Sequence, residues 1–295
     1  MRIDLCGVRG STPTPGPAFV RYGGHTSCVA IAHDGQPPAL LLDAGTGLTN
    51  VGALLGGAPF VGTILLGHLH WDHTQGLPFF RPGDHRSARV DIHVPAPGPG
   101  SSATATGRDA DPATRLSGWM SPPYFPITPR ELHGDWRFHD LDERELEVEG
   151  FRVRVREIPH KGGRTFGFRV ESEGGVLAYL SDHHPVSFGP GPDGFGPYHE
   201  AALDLAAGAD VLFHDAQYTA AEFVQRASFG HSTIDYAIGL GAAAEVGEVV
   251  LFHHDPSRTD DELDALLATL PPAAVPVRAA VEGASLLIGA AHRVG

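Results

Sequence analysis

The chain has 295 residues, 42% of them apolar and 19% charged, which excludes a disordered tail or a coiled coil and leaves enough length to bury a sizeable core. Its 38 glycines and 25 prolines call for many sharp turns and argue against an all-helical bundle. With 21 Lys and Arg against 35 Asp and Glu the net charge is −14, and Lys161 is the one lysine, so a grip on a polyanion through many cation–phosphate contacts is disfavoured.

Met1 opens onto a strand-like run without the basic stretch and apolar core of a signal peptide, and no run of about 18 apolar residues follows. A cytoplasmic protein with no membrane contact is expected. Strands are predicted over 2–6, 28–32, 39–42, 63–66, 90–94, 151–158, 165–171, 175–180, 210–213 and 249–252. Cys6 and Cys28 fall inside two of these runs and read as free, buried thiols. From about 95 to 132 the chain is rich in Pro, Gly, Ser, Ala and Thr, which rules out regular helix or interior strand. It reads as a surface excursion packed by its own residues or as a lid over a site. Helix signals gather in the C-terminal half. Thr219 with Glu222, and Thr259 with Glu262, have the spacing of capping boxes, and Pro271 and Pro272 stop the second helix. A further helix is predicted from Ser232. Strands alternating with helices imply an α/β layered architecture, here one domain over 1–295 with the Pro/Gly-rich stretch as an insertion.

Chemistry concentrates in the 18 histidines. The densest group is His68-Leu69-His70-Trp71-Asp72-His73, directly after the apolar run TILLG. Residues two apart in an extended segment face the same way, so His68 and His70 can share one ion while Asp72 and His73, at the turn beyond, face a second. Four ligands cannot complete two sites, and other strand ends offer the rest. RVRVREIP runs into His160, GVLAYLS into Asp182, and EVVLF into His253-His254, all at C-terminal ends of predicted strands. Spacing alone does not choose between His253 and His254. Seven other histidines, His33, His85, His93, His133, His139, His199 and His292, lack a strand-end setting and read as solvated or structural.

The segments GVRGSTPTPG, RYGGHTSC, LDAGTG, HLHWDH, HDAQYT, GHST and LFHHDP resemble the metallo-β-lactamase superfamily, and within it the branch of tRNase Z and small phosphodiesterases. That resemblance implies a four-layer αβ/βα sandwich with metals at the strand ends between two sheets. It implies His68, His70 and His160 on one metal, Asp72, His73 and His253 on the other, and Asp182 bridging both. It favours His253 as the ligand and leaves His254 and Asp255 behind it, with His183 and His184 beside the bridging Asp182. His231 of GHST matches the histidine that contacts the scissile phosphate in that branch. Asp215 of HDAQ stands where the branch has a glutamate and is long enough to orient His231. Where the family has asparagine in RYGGNTSC this chain has His25, an extra imidazole of open role.

Two divalent cations, two carboxylates and a shared hydroxide would leave a net charge of about +1, and a phosphodiester about 4 Å away is attracted by on the order of 4 kcal/mol before desolvation. The expectation is therefore a hydrolase with two divalent ions, zinc by default and manganese or iron by ligand type. Its nucleophile would be a hydroxide shared by the metals, with Asp72, His231 and Asp215 as catalytic side chains. A basic arm for RNA is missing from the sequence, so the substrate is expected to be a small anionic phosphodiester such as a cyclic nucleotide rather than a nucleic-acid polymer, and a homodimer is compatible with it. The rivals are a lactonase or other carbon-ester or amide hydrolase, in which Asp182 and GHST would have no evident task, and a non-catalytic metal-binding module, whose sites would close with four ligands, often thiolates.

Overall fold

The computed structural model describes residues 1–98, 110–172, 174–185 and 198–289. The first part of the chain forms β1 (Arg2–Gly7), β2 (Cys28–Ala32), β3 (Leu40–Leu42), α1 (Val51–Leu54), β4 (Val61–Leu65), α2 (Trp71–Thr74), β5 (Arg89–Pro95), α3 (Pro112–Leu116) and β6 (Asp135–Leu141). The rest forms β7 (Arg144–Val148), β8 (Phe151–Ile158), β9 (Thr165–Ser172), β10 (Gly175–Leu180), α4 (Glu200–Ala206), β11 (Val211–Asp215), α5 (Ala220–Arg226), α6 (Ile234–Ala243), β12 (Val249–Phe252), α7 (Asp260–Thr269), β13 (Val277–Ala279) and β14 (Ser285–Leu287). Two seven-stranded sheets result, in the orders β14-β1-β2-β3-β4-β5-β6 and β13-β12-β11-β10-β9-β8-β7.

Side-chain alternation sets how they stack. In β8, Phe151, Val153 and Val155 are buried while the arginines between them point away. These residues, with Phe166, Phe168, Tyr179, Phe213 and Phe252, meet Ile3, Leu5, Val29, Ile31, Leu40 and Leu42 of the other sheet in one apolar layer. The outer face of the second sheet, through Ala178, Leu180, Leu212 and Leu251, is covered by Leu205 of α4 and Tyr236 and Leu240 of α6. Outside the first sheet, Leu41, Ile64, Val90 and Ile92 pack on Val51, Leu77 and Leu116. Helix, sheet, sheet and helix thus follow one another, the expected αβ/βα sandwich. Both cysteines are free and buried, and among the described residues no helix is long and apolar enough to cross a membrane.

Four strands escape the sequence pattern. β6 and β7 are the outermost strands on one side and carry half-exposed, charged residues. That is how an edge avoids pairing with a stranger, and it also erases the apolar signal. β13 and β14 have only three residues each. The stretch from 95 to 132 requires a correction, because it holds the helix α3: Asp111 accepts from the N–H groups of Ala113 and Thr114, and Pro112 sits where its missing N–H costs nothing. Leu116 and Trp119 lay this segment on the outer face of the first sheet, and Arg115 reaches Asp140 at 2.5 Å. Residues 99–109, part of the lid reading, lie outside the described residues. Helix α6 starts two residues later than expected, since Thr233 rather than Ser232 caps it by accepting from the Tyr236 N–H.

What positions the site is the shared edge. The parallel strands β10, β11 and β12, and the parallel β3 and β4, all end there. The loop after β1 is fastened to the same edge by Arg9, whose side chain is fully buried. Its guanidinium donates to the carbonyls of Gly23 at 2.7 Å, Arg258 at 2.7 Å and Asp255 at 3.3 Å. Asp260 lies 3.5 Å away as the counter-charge. Removing the cation would leave the Gly23 and Arg258 carbonyls without its N–H groups and take the counter-charge from buried Asp260, which would keep the N–H groups of Arg21 and Tyr22. Arg9→Ala is expected to lower stability by about 3–5 kcal/mol, read as a lower urea midpoint with an unchanged slope.

Candidate metal centre

After β4 the chain runs extended through His68 and His70, and His70 is the last extended residue before α2 begins at Trp71. The first turn of α2 then supplies Asp72 and His73, both buried. His160 follows β8, Asp182 follows β10, and His253 follows β12 with a left-handed φ of 58°. The fold gathers these seven side chains into two groups. His68, His70, His160 and Asp182 each bring one donor atom within 4.8 Å of the others, and so do Asp72, His73, Asp182 and His253. Asp182 belongs to both. Its Oδ2 lies 3.3 Å from His160 Nε2 and 3.5 Å from His68 Nε2, and its Oδ1 lies 3.0 Å from His73 Nε2 and 3.1 Å from His253 Nε2.

The fit of this set to cations can be judged from its unmet needs. Both Asp182 oxygens, both His68 nitrogens and His73 Nε2 are buried and make no hydrogen bond, an arrangement that costs several kcal/mol unless something positive sits among them. Burial, and then His73, pushes the His68 pKa well down, and burial brings His160 to about 4, so each presents a neutral ring. Burial opposes a charge on Asp182, yet His253, His73, His68 and His160 hold its carboxyl well below the ordinary range. Burial also opposes a charge on His73, where Asp182, Asp72 and Asp43 outweigh it and raise the pKa well up. A proton there occupies the place that suits a divalent cation. The set fits two such ions with one carboxylate between them.

Outward-facing nitrogens are held in turn. His73 Nδ1 meets Asp43 Oδ2 at 2.8 Å, His160 Nδ1 meets the Gly230 carbonyl at 2.7 Å, and His253 Nδ1 meets Gln217 Oε1 at 2.9 Å. Such partners fix which nitrogen is free to face a metal. Asp43 also accepts from the Gly67 N–H, Tyr179 and Ser181 at 2.7, 2.8 and 3.1 Å. Sequence reasoning gave Asp43 and Gln217 no role, although Asp43 of LDAGTG follows β3 and so shares the strand-end setting of the other acids. Two glycines are needed for closeness: a Cβ on Gly10 would come within 2.4 Å of His253 Nδ1, and one on Gly162, whose φ is +96°, within 2.7 Å of His70 Nε2.

His231 Nδ1 lies 3.0 Å from Asp215 Oδ2 and 3.7 Å from Asp182 Oδ2. Burial opposes its protonation, but Asp215, followed by Asp182 and Asp72, holds its pKa at about 9. Together with Ser11, Leu69, His70, Trp71 and Asp72 it lines a cavity of about 360 Å³. A larger groove of about 1010 Å³ beside α1 contains none of these chemical groups. His254 stands apart from both clusters: it is buried, bonds the Ala280 carbonyl at 2.9 Å, and is brought to about 3 by burial. His183 bonds His214 at 2.9 Å. His184 is half-buried and belongs to neither cluster. His25 pairs with Glu282 at 2.7 Å and not with the clusters.

The family model for the beta-lactamase superfamily domain matches residues 39–254. The chain belongs to that superfamily. It is similar to ribonuclease Z of Mycobacterium avium (strain 104), 28% identical over 276 residues and covering 87% of each chain, a likeness that supports the tRNase Z-like branch. Among solved structures it resembles the metallo-β-lactamase fold protein YhfI from Bacillus subtilis, with a TM-score of 0.69, 16% identity and 97% and 99% of the two chains covered. It also resembles a diphosphatase from the PhnP family, with a TM-score of 0.67, 18% identity and 97% of each chain covered. At such identities the structural likeness speaks for the fold.

Two substitutions test the second cluster away from its ligands. Asp43→Asn would leave His73 without its carboxylate, and metal affinity measured by chelator competition is expected to fall about 10–100-fold. Gly10→Ala would displace His253, and the second equivalent of metal per chain should be lost before the first.

Proposed function

We propose that the protein is a metal-dependent phosphodiesterase, holding two zinc ions between His68, His70, His160, Asp72, His73, Asp182 and His253, and that it takes small phosphodiesters such as a cyclic nucleotide. The observation that carries this reading is that His70 and Asp72, one from each donor group, line one small cavity together with His231, which Asp215 holds from behind. Divalent ions, when bound, supply an ionised water near neutral pH and neutralise charge gathering on phosphorus.

The side chains do the rest. Asp72 is kept ionised, since His73 and then His253 outweigh its burial, and the Ser11 N–H fixes its Oδ2 at 2.7 Å. His231, anchored through Nδ1, has Nε2 left to give a proton to the departing oxygen. The cavity of about 360 Å³ suits a nucleoside-sized group. Trp71, 69% exposed at its rim, offers a face for an aromatic ring. The acidic balance of the chain speaks against a long polyanion, although its ribonuclease Z relatives make RNA the necessary control.

The test is a hydrolysis panel on zinc-loaded protein with bis(p-nitrophenyl) phosphate, cyclic nucleotides, a lactone, a β-lactam and RNAs of increasing length. Turnover of the small phosphodiesters alone is expected; a rate that climbs with RNA length, or preference for the lactone, would overturn the reading. His231→Ala should lose about 10²–10⁴-fold in kcat with two metals retained. Trp71→Ala should raise KM about tenfold for nucleotide substrates and leave kcat nearly unchanged.

A further inference from the structure

We infer that Ser11 donates its hydroxyl proton to a phosphoryl oxygen of the substrate, in an orientation set by His253 through Gln217. The inference rests on the phosphodiesterase reading above. Five non-glycine residues among those described have a left-handed φ, and three belong to this centre: Asp43 behind His73, His253 itself, and Ser11 at 59°. Such backbone strain persists where the surroundings dictate it and clusters at functional sites. Ser11 is held there by its N–H on Asp72 Oδ2 at 2.7 Å.

Proton accounting gives the direction. Gln217 Oε1 lies 2.9 Å from His253 Nδ1 and, as an amide oxygen, can only accept, so His253 Nδ1 donates to it. The opposite ring nitrogen, Nε2, faces Asp72 and Asp182 at 3.1 Å from each. Gln217 Nε2 then faces Ser11 Oγ and the Tyr218 hydroxyl, each at 3.3 Å, and spends one N–H on each. Ser11 Oγ is therefore an acceptor toward the protein, and no described residue takes its proton. The residue is exposed and lines the cavity it shares with His70, Asp72 and His231, where its free proton can turn toward the space a phosphoryl group would fill. The hydroxyl aids the reaction as a fixed dipole and is neither nucleophile nor base.

The experiment compares wild type, Ser11→Ala and Ser11→Gly, the last to remove the hydroxyl while relieving the left-handed backbone. Metal content, thermal stability, inorganic phosphate binding by calorimetry, and kinetics on bis(p-nitrophenyl) phosphate are measured on zinc-loaded protein. Both variants are expected to keep two metals per chain, bind phosphate about ten- to a hundredfold more weakly, and lose a similar factor in kcat/KM. Phosphate affinity equal in all three proteins overturns the Ser11 assignment and leaves the phosphodiesterase reading standing. A wild type that cleaves no phosphodiester overturns that reading instead, and the phosphate isotherms then still decide whether Ser11 meets a phosphoryl oxygen.

Discussion

The arrangement turns on one buried carboxylate. Asp182 is 1% exposed, and neither of its oxygens has a hydrogen bond, while four imidazole nitrogens approach within 3.5 Å. A charge without water or donors is tolerable only beside opposite charge. Burial opposes a proton on His73, and Asp182, Asp72 and Asp43 hold it there. The rings of His68 and His160, kept neutral chiefly by burial, both face Oδ2 and offer lone pairs to a cation on that side, while His73 and His253 face Oδ1 on the other.

Placing seven donors around that carboxylate is a problem of alignment, and the two sheets solve it by ending their strands at one edge. Parallel register between β10, β11 and β12 carries Asp182, Asp215 and His253 to the same level. The β3–β4 pair does the same for Asp43 and the segment opening at His68. Arg9 then draws the loop after β1 onto this rim, which brings Gly10 against His253 and Ser11 against Asp72. Stability and chemistry thus meet in a single loop. Its glycine is chosen by closeness and its arginine by buried carbonyls, while its serine stands in a strained backbone that glycine would suit better.

Much of this was legible in the sequence, for a physical reason. β2, β10 and β12 are apolar along their length and β8 alternates apolar with charged residues, so all four have the predicted bounds, and His160, Asp182 and His253 sit just past β8, β10 and β12. The capping boxes at Thr219 and Thr259 were readable because Ser/Thr and Glu at that spacing satisfy free N–H groups locally. What escaped depends on contacts distant in the chain. β6 and β7 form because neighbouring strands lend them partners, and their own charges hide them. Asp43 and Gln217 reach the centre through His73 and His253, 30 and 36 positions away, and no local pattern announces such a pairing. His25, whose role the motif leaves open, is held by Glu282, 257 positions on.

The acidity of the whole chain and the phosphodiesterase reading are compatible once distance is considered. Beyond about 8–10 Å salt screens the surface carboxylates, whereas inside the cavity Asp72 and His231 are close, and the cations that the donor set fits would tip the local balance to positive. On that reading surface charge would govern long-range approach and weigh against extended polyanions, while the centre would govern the last few ångströms. An acidic exterior around a locally positive cavity would then select by size as well as by charge, since a small phosphodiester would enter without bringing further phosphates to the repelling surface.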